Sequence, residues 1–272
     1  MNKVYNTMED FASKINEFLL KSFPTIRKTQ LNIIPYIILG MILSESVVAS
    51  DIAKKLKGDF SKVQLNSVIK RIRRFFNNKL FDPYIFYDKI IKHVINNYKK
   101  KHEDKRVHII FDHMFSHENY TVFMITMRIG KQGIPLWFRC FKWIPSDAFQ
   151  EDLIKEGISY VSSLFDSSFD LIFLADRWFN SISVLQHIES LGHTYNIRLK
   201  RNLKVLVYDK KEGHHIWKET GDLKCYEYHS KSYQNIYLTE EKYQTNIMIS
   251  KKQNVTEILQ ELLKTMITVL EP

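Results

Sequence analysis

The segment that decides the fold is residues 171–181, which read LIFLADRWFNS. An unbroken apolar run, then Asp176 and a small polar residue that can open a helix, is typical of a buried strand that ends in an acid. Residues 108–114, HIIFDHM, show the same arrangement 64 positions upstream, with Asp112 after a short apolar run. The sequence therefore predicts two core strands that each end in one carboxylate.

The elements around these two strands predict the fold class. Residues 119–129 and 134–143 are rich in β-branched and aromatic residues and are separated by a Gly-Lys-Gln-Gly hairpin. Both are apolar on both faces, so we expect a sheet covered on both sides. A helix, the strand with Asp176, a second helix and a further strand follow, at residues 149–165, 171–176, 181–191 and 193–202.

This order predicts an α/β protein with an RNase H-like mixed sheet, in which an antiparallel meander is joined to parallel strands and helices cover both faces. A doubly wound nucleotide-binding fold would alternate strand and helix from the start. Short strands with polar turns then predict a β-rich insertion, and the last segment has helical periodicity. We predict four regions: a helical basic DNA-binding region, the first part of the catalytic core, the insertion and a divergent or truncated tail, at residues 1–106, 107–203, 204–250 and 251–272.

Positive charge is concentrated at the start of the chain. The formal net charge is +10, and residues 1–106 hold 21 Lys and Arg against 10 Asp and Glu. This asymmetry suggests a segment that binds a polyanion, although a solvated basic helix surface is the alternative. Helices are expected at residues 10–21, 31–44, 47–56, 62–77 and 84–101.

The third and fourth of these helices resemble a helix-turn-helix. A stop at Lys57 and Gly58 and a cap at Ser61 separate them. The fourth helix has an apolar stripe on one side and three cations on the other, which is the face that a DNA backbone or groove would meet. The stripe is Leu65, Ile69, Ile72 and Phe76, and the cations are Lys70, Arg71 and Arg74.

Composition excludes several classes of protein. With 2 Cys and 8 Gly, the chain carries neither a disulfide framework nor a Gly-rich phosphate loop, so no nucleotide cofactor is expected. The N-terminus is too acidic for a signal peptide, and the longest apolar run, at residues 31–43, is shorter than the roughly 20 residues of a membrane span. We expect a cytoplasmic, nucleoid-associated protein without membrane contact.

The two strand-end acids are the candidate catalytic residues. In an RNase H-like core these strand ends are neighbours, so Asp112 and Asp176 would repel each other and favour a divalent cation. Oxygen ligands select Mg²⁺ or Mn²⁺, and such ions can activate a nucleophile and stabilise the leaving oxygen of a phosphodiester. The alternative is that one or both acids are helix caps or solvated strand ends.

The motifs FDHM and LADRWFNS resemble the first two acidic motifs of DDE-class insertion-sequence transposases, in the group whose RNase H-like core is interrupted by a β-rich insertion. The resemblance spans roughly residues 20–250, and Trp178 stands where members often have Gly. It implies cleavage at transposon ends and joining of the freed 3′-hydroxyl to target DNA, with Mg²⁺ held by three acids. It also implies double-stranded DNA as the partner and allows a homodimer.

The third acid of that family is a Glu in a Tyr-x-x-Arg-x-x-x-Glu-x-x-x-x-x-x-Lys helix, and no such pattern occurs in this chain. Glu257 and Glu261 lack the upstream Tyr and Arg. We therefore expect a truncated or frameshifted transposase whose cleavage is largely lost, with Glu261 as a cryptic third acid as the alternative. Two other functions stay open: a catalytically dead DNA-binding inhibitor of transposition, and an RNase H-like nuclease.

Further residues are candidates for DNA contact. Arg177 can hold a phosphate, or pair with a neighbouring acid. Trp217 lies in the insertion, where the resemblance implies an aromatic that stacks on a displaced base; a core anchor is the alternative. Four cations in seven positions could contact the DNA backbone or solvate an edge strand: Arg198, Lys200, Arg201 and Lys204. The histidines, including His113, lack metal-ligand spacing with Cys.

Overall fold

The computed structural model describes residues 2–56, 64–101, 105–116, 120–142, 147–225, 229–238, 242–252 and 255–261. The chain divides into two compact units, Met1–Val94 and Ile95–Pro272. The division falls inside a helix, before the predicted boundary at residue 106. The roles predicted for the four regions remain predictions.

The first unit is helical. Two apolar clusters hold it together, one around Leu19, Phe23 and Leu31 and one around Ile52 and Ile72. The described helices are α1 (Asn2–Ser22), α2 (Lys28–Leu31), α3 (Ile34–Ser44), α4 (Ala49–Leu56), α5 (Leu65–Phe76) and α6 (Pro83–Lys101). No single described helix is long and apolar enough to cross a membrane; only the pair Lys28–Ser44 and Ala49–Leu56, bent by 96°, reaches that length and composition together.

Helices α3 and α4 approach each other closely at Gly40. A Cβ at Gly40 would lie 2.5 Å from Cγ2 of Ile52, so a glycine is required where the two helices meet. The predicted helix at residues 31–44 is confirmed over Ile34–Ser44, but Leu31 belongs to α2, because the chain breaks between α2 and α3. Pro35 lies in the first turn of α3, the position where its missing N–H leaves no helical hydrogen bond unmade.

The predicted start and stripe of α5 need correction. Gln64 is extended, with ψ of 142°, so the helix begins at Leu65 and not at Lys62. Phe76 is 52% exposed and does not belong to the buried stripe; Phe75, one position earlier, packs against both apolar clusters instead. The predicted stop at Lys57 and Gly58 and the cap at Ser61 lie outside the described residues.

In the part of the chain that the structure describes, the second unit is built on one ten-stranded sheet. Its strand order is β3-β2-β1-β4-β5-β10-β9-β8-β6-β7. The strands are β1 (Arg106–Ser116), β2 (Tyr120–Ile129), β3 (Gln132–Lys142), β4 (Asp170–Ala175), β5 (Thr194–Arg198), β6 (Lys204–Asp209), β7 (His214–Glu219), β8 (Ser230–Leu238), β9 (Tyr243–Lys252) and β10 (Val255–Glu261).

The first five strands in that order form the mixed sheet that the sequence predicts. β1 pairs with β2 and β2 with β3 in antiparallel fashion, whereas β4 is parallel to both β1 and β5. Helices α7 (Asp147–Ser163) and α8 (Ile182–Ser190) follow β3 and β4 in the chain. This strand order and these directions confirm the RNase H-like fold class.

Both helices lie on the same face of this part of the sheet, and not one on each face as predicted. Gly157 of α7 sits so close to Ile125 and Trp137 that a Cβ would lie 2.7 Å from Ile125 Cδ1. The Oγ of Ser159 in α7 lies 2.7 Å from Nε2 of His187 in α8, which joins the two helices. On the opposite face the strand residues are only partly buried, and Asp112 lies on that face.

The remaining strands form an antiparallel half that contains the predicted insertion. β10 lies between β5 and β9 and pairs with both, so it joins the insertion to the core in one sheet. The prediction of a helix over this last segment is wrong for Val255–Glu261. The backbone N–H and C=O groups along one edge of β5 and one edge of β9 need hydrogen-bond partners. Pairing with β10 supplies them, and this requirement overrides the local helical periodicity.

The insertion strands also differ in part from the prediction. The segment CYEYH, residues 225–229, is predicted to be a strand, but Cys225 and His229 lie outside any strand and residues 226–228 are outside the described residues. No strand is predicted at the position of β7. β6 and β7 pair along their length, with Leu206 opposite Trp217. The polar turn between them therefore closes a hairpin.

A hydrogen-bonded group of side chains links the insertion to the core. The hydroxyl of Tyr243 in β9 donates to Glu189 of α8 at 2.5 Å and lies 2.8 Å from the hydroxyl of Tyr195 in β5. Tyr195 in turn lies 3.2 Å from the hydroxyl of Thr245. Burial, followed by the hydrogen bond to Glu189, raises the pKa of Tyr243, so its hydroxyl remains a donor.

Candidate active site on the open face of β1 and β4

The last residues paired between β1 and β4 directly precede the two predicted acids. The parallel pairing runs to Phe111 opposite Ala175, and Asp112 and Asp176 are the next residues of the two chains. Neighbouring strands lie about 4.8 Å apart, and alternate residues share a face. Asp112 and Asp176 therefore follow the last paired residues of two neighbouring strands, and Asp112 points to the face opposite Phe111, which is 1% exposed.

Asp112 differs in one respect from the sequence prediction. It does not end its strand, because β1 continues to Ser116 and stays paired with β2 to Tyr120. β4 does end at Ala175, so past this point β1 has lost its partner on the β4 side. Asp112 is exposed, and its Oδ1 accepts a hydrogen bond of 2.8 Å from the backbone N–H of His113.

The carboxylate of Asp176 has an unusual environment. Its Oδ1 atom is buried and accepts no hydrogen bond from the described residues, although 42% of the side chain is exposed through its other atoms. Two cations lie near this oxygen, Arg177 Nε at 3.8 Å and Arg198 Nη1 at 3.9 Å. At these distances they neutralise the charge without satisfying the acceptor. The Oδ1 of Asp176 thus lies near two cations, and none of the described residues donates a hydrogen bond to it.

A short 3₁₀ turn, Arg177–Phe179, follows Asp176 and is anchored by the packing of its last residue against the core. Phe179 is 3% exposed, and its ring centroid lies 4.9 Å from that of Phe111 and 5.0 Å from that of His113. Asn180, the next residue, has a buried Oδ1 that also lacks a hydrogen bond among the described residues. The core therefore fixes the backbone that carries Asp176 and Arg177.

Trp178, between these anchored residues, is 79% exposed. The Nζ of Lys200 lies 5.2 Å from the centre of its ring. Trp178 stands where the transposases that the motif resembles often have Gly, and no function is predicted for it from the sequence. The available signal was a tryptophan in a polar turn next to a candidate catalytic acid.

His113 connects Asp112 to the aromatic core. Its ring lies against Phe123, Phe141 and Phe179, at centroid distances of 5.1, 6.2 and 5.0 Å. Burial lowers the pKa of His113, and the charge of Asp112 opposes this effect in part. His113 is therefore a packing residue that stays neutral near neutral pH.

This burial predicts a pH dependence of folding. When the folded-state pKa lies below the ordinary 6.5, the unfolded chain binds more protons between the two values, so the free energy of unfolding rises with pH in that window. Acidification from about pH 7.5 to about pH 5.5 should destabilise the protein as pH falls through 6.5. Urea unfolding at each pH measures this.

The matched variants are His113→Phe and, as a control, His214→Gln, an exposed residue of β7. His113→Phe should flatten the dependence in part, because burial also lowers the pKa of His193. His214→Gln should leave it unchanged. An equally steep loss of stability in His113→Phe would contradict the assignment.

The other predicted site residues fall into two groups. Lys200 and Arg201 are exposed in the loop after β5, and Lys204 is exposed at the start of β6. With Arg177 and Arg198, they make the region after β4 and β5 cationic. Trp217 is 44% exposed and lies on β7, an edge strand six positions from β4 in the strand order. The sheet therefore does not bring Trp217 next to Asp176.

The predicted DNA-binding cations on α5 belong to the first unit. Lys70, Arg71 and Arg74 are all exposed, and Ile72 between them is 1% exposed and anchors the helix. Arg71 and Arg74 also border a cavity of about 690 Å³ lined by Tyr36 and other residues of this unit. The helix thus presents its cations to solvent, as predicted, and their role as DNA contacts remains a prediction.

No third acid is found beside the pair among the described residues, where no group of three or more His, Cys, Asp or Glu side chains could hold a metal ion. Glu257 and Glu261 lie in β10, where Glu261 is opposite Asn196 of β5 and Glu257 is opposite Ser250 of β9. Neither belongs to a helix, so the helical Glu motif of the transposases has no counterpart there.

No family model matches the sequence, and no curated protein matches it. Among solved structures, Marinitoga piezophila Argonaute in complex with 5′-OH guide RNA and target DNA is similar at 14% identity and a TM-score of 0.26, over 77% of this chain and 29% of that chain. The same Argonaute with guide RNA alone gives 12% identity and a TM-score of 0.27, over 71% of this chain. The chain spans 29% of the length of those proteins, and similarity this distant supports no functional conclusion.

Proposed function

We propose that this protein binds DNA and carries out metal-dependent phosphodiester cleavage and strand transfer of the DDE-transposase type. The observation that supports the proposal most directly is the parallel register of β1 and β4, whose last pair, Phe111–Ala175, directly precedes Asp112 and Asp176 in the two chains. Two acids at this position of an RNase H-like sheet form the start of a metal-dependent phosphoryl-transfer site.

The residues present fit a divalent cation in part. The buried Oδ1 of Asp176 accepts no hydrogen bond from the described residues, and Asp112 is exposed beside it. Asp112 and Asp176 would hold Mg²⁺ or Mn²⁺, because hard cations prefer carboxylate oxygens. When bound, the metal supplies activation of water or a 3′-hydroxyl and stabilisation of the leaving oxygen. Glu257 and Glu261 are the candidates for a third acid.

The cations around the site suit a DNA backbone. Arg177 and Arg198 lie within 4 Å of Asp176, so either guanidinium can turn from the carboxylate to a phosphate oxygen that enters the site. Lys200, Arg201 and Lys204 extend the positive surface along the loop that follows. Lys70, Arg71 and Arg74 on α5 would contact transposon-end or target DNA, and such contacts would weaken steeply as salt rises.

The experiment is a nicking assay on supercoiled plasmid with the whole chain. With Mg²⁺ or Mn²⁺ we expect nicked and linear DNA to accumulate, and chelation with EDTA should stop the reaction. Ca²⁺ should support DNA binding with much weaker cleavage, since it binds carboxylate oxygens but activates the nucleophile poorly. Absence of metal-dependent nicking, with DNA binding retained, would refute the catalytic part of the proposal.

A second candidate is DNA binding without cleavage, in a protein that occupies transposon ends and inhibits transposition. It is favoured by the absence of a third acid beside Asp112 and Asp176 among the described residues. This function needs the cations and not the carboxylates. The test measures DNA cleavage by an added active transposase in the presence of this protein. An inhibitor should reduce that cleavage, and the Asp112→Ala variant of this protein should reduce it equally. Homodimer formation and a cytoplasmic location remain part of the proposal.

A further inference from the structure

An exposed tryptophan is mounted rigidly at the candidate active site. Single exposed apolar side chains are common and usually need no explanation. Trp178 differs because the residues around it are held: Asp176 lies near two arginines, and Phe179 is 3% exposed within an aromatic cluster. Its ring is 79% exposed, so a turn with an anchored backbone presents a large aromatic surface to solvent.

The surroundings of this ring are cationic. Lys200 lies 5.2 Å from the ring centre, where a cation is attracted by the π-electrons. Lys200 can cover only one face of the ring. The 79% exposure of Trp178 means that the rest of the ring surface is open to solvent. The arginines beside Asp176 lie on the adjacent position of the same turn and on the end of β5.

We propose that Trp178 is a stacking platform for an unpaired nucleobase of the DNA strand whose phosphate lies at Asp176. The identification of the ligand as DNA rests on the proposed function. A planar ring beside Lys200, in a turn whose Asp176 lies near two arginines, matches the two chemical parts of a nucleotide, since the base stacks on the ring and the phosphate pairs with the cations. Within a duplex both faces of a base are covered by its neighbours, so only an unpaired or displaced base offers a face to Trp178.

This assignment differs from the sequence prediction, which placed the stacking aromatic at Trp217. Trp217 is less exposed and lies on the edge strand β7, six strands from β4 in the sheet order. A second copy of the chain is a poorer occupant of Trp178, because a chain of net charge +10 would bring like charges together at this cationic surface.

The test compares DNA affinities by fluorescence anisotropy, in EDTA so that no cleavage occurs. Three labelled probes share one sequence: a paired duplex, the same duplex with one unpaired nucleotide, and that duplex with an abasic site at the unpaired position. The protein should prefer the unpaired base to the other two probes roughly tenfold. Trp178→Ala should remove this preference and change duplex affinity less than about twofold, whereas Trp178→Phe should keep most of it.

Trp217→Ala is the matched control and should keep the full preference. Circular dichroism should show that Trp178→Ala folds normally, because the side chain is mostly exposed. The inference is overturned if Trp178→Ala retains the preference, if the wild type has none, or if the substitution changes only self-association in sedimentation. The binding assay needs no catalysis, so the two proposals can fail separately. Nicking that survives in Asp176→Asn would refute the catalytic proposal alone. An unchanged preference for the unpaired base in Trp178→Ala would refute this inference alone.

Discussion

Replacing Asp176 by asparagine should reduce Mg²⁺-dependent nicking by at least about 100-fold, which corresponds to roughly 2.7 kcal/mol of transition-state stabilisation. Asparagine keeps the shape of the side chain but removes the charge that would hold the cation. The substitution should cost little stability, because the contacts of Asp176 to Arg177 and Arg198 are long, 3.8 and 3.9 Å, and its side chain is 42% exposed.

Asp112→Asn should have a similar effect, and the double variant should be hardly worse than either single one, since two ligands of one metal act as a unit. The control is Asp170→Asn, an exposed acid at the opposite end of β4. It should cleave normally. Activity within a few-fold of wild type in both single variants would exclude these residues from the site, and an equal loss in Asp170→Asn would indicate a charge effect instead.

The core strands were predictable because their signal is local and strong. Apolar runs such as residues 171–175 can only be buried, and three strands before the first core helix leave few arrangements other than a meander. The acids were predictable for the same reason, because a carboxylate after such a run must emerge from the sheet. The pairing of β1 with β4, whose last pair directly precedes Asp112 and Asp176, joins strands distant in the chain, and the sequence does not display it.

The errors come from interactions over long distances. Val255–Glu261 has an apolar pattern that suits a helix, but the unpaired edges of β5 and β9 make it a strand. Phe75 and Phe76 are adjacent and equally apolar, so only the clusters that surround α5 decide which is buried. Local periodicity cannot resolve such cases, because both alternatives satisfy it.

The surface around the acids was the least predictable part. The role of Trp178 depends on its exposure and on Lys200, which the parallel pairing of β4 with β5 brings to the same end of the sheet. His113 and Phe179 were not recognised as supports of the turn, because their contact joins β1 to the residues after β4. A site of this kind becomes visible only when the strand ends are placed side by side.

The second large effect concerns this support. Phe179→Ala should lower the free energy of unfolding by about 3–5 kcal/mol, because it removes a buried ring and leaves a cavity. The ring is 3% exposed and lies within 6 Å of the rings of Phe111, His113 and Phe123, so few neighbours can move in to fill the space. Urea unfolding followed by circular dichroism measures the change.

Two variants separate packing from function. Phe179→Leu keeps most of the volume and should cost less than about 1.5 kcal/mol, and Trp178→Ala, next in the chain but exposed, should cost less than about 0.5 kcal/mol. Because Phe179 fixes the turn that carries Arg177 and Trp178, the Ala variant should also lose the preference for an unpaired base under conditions in which it remains folded. A loss of stability below about 1 kcal/mol in Phe179→Ala would mean that the turn is not anchored by this ring, and the rigid mounting of Trp178 would lose its physical basis.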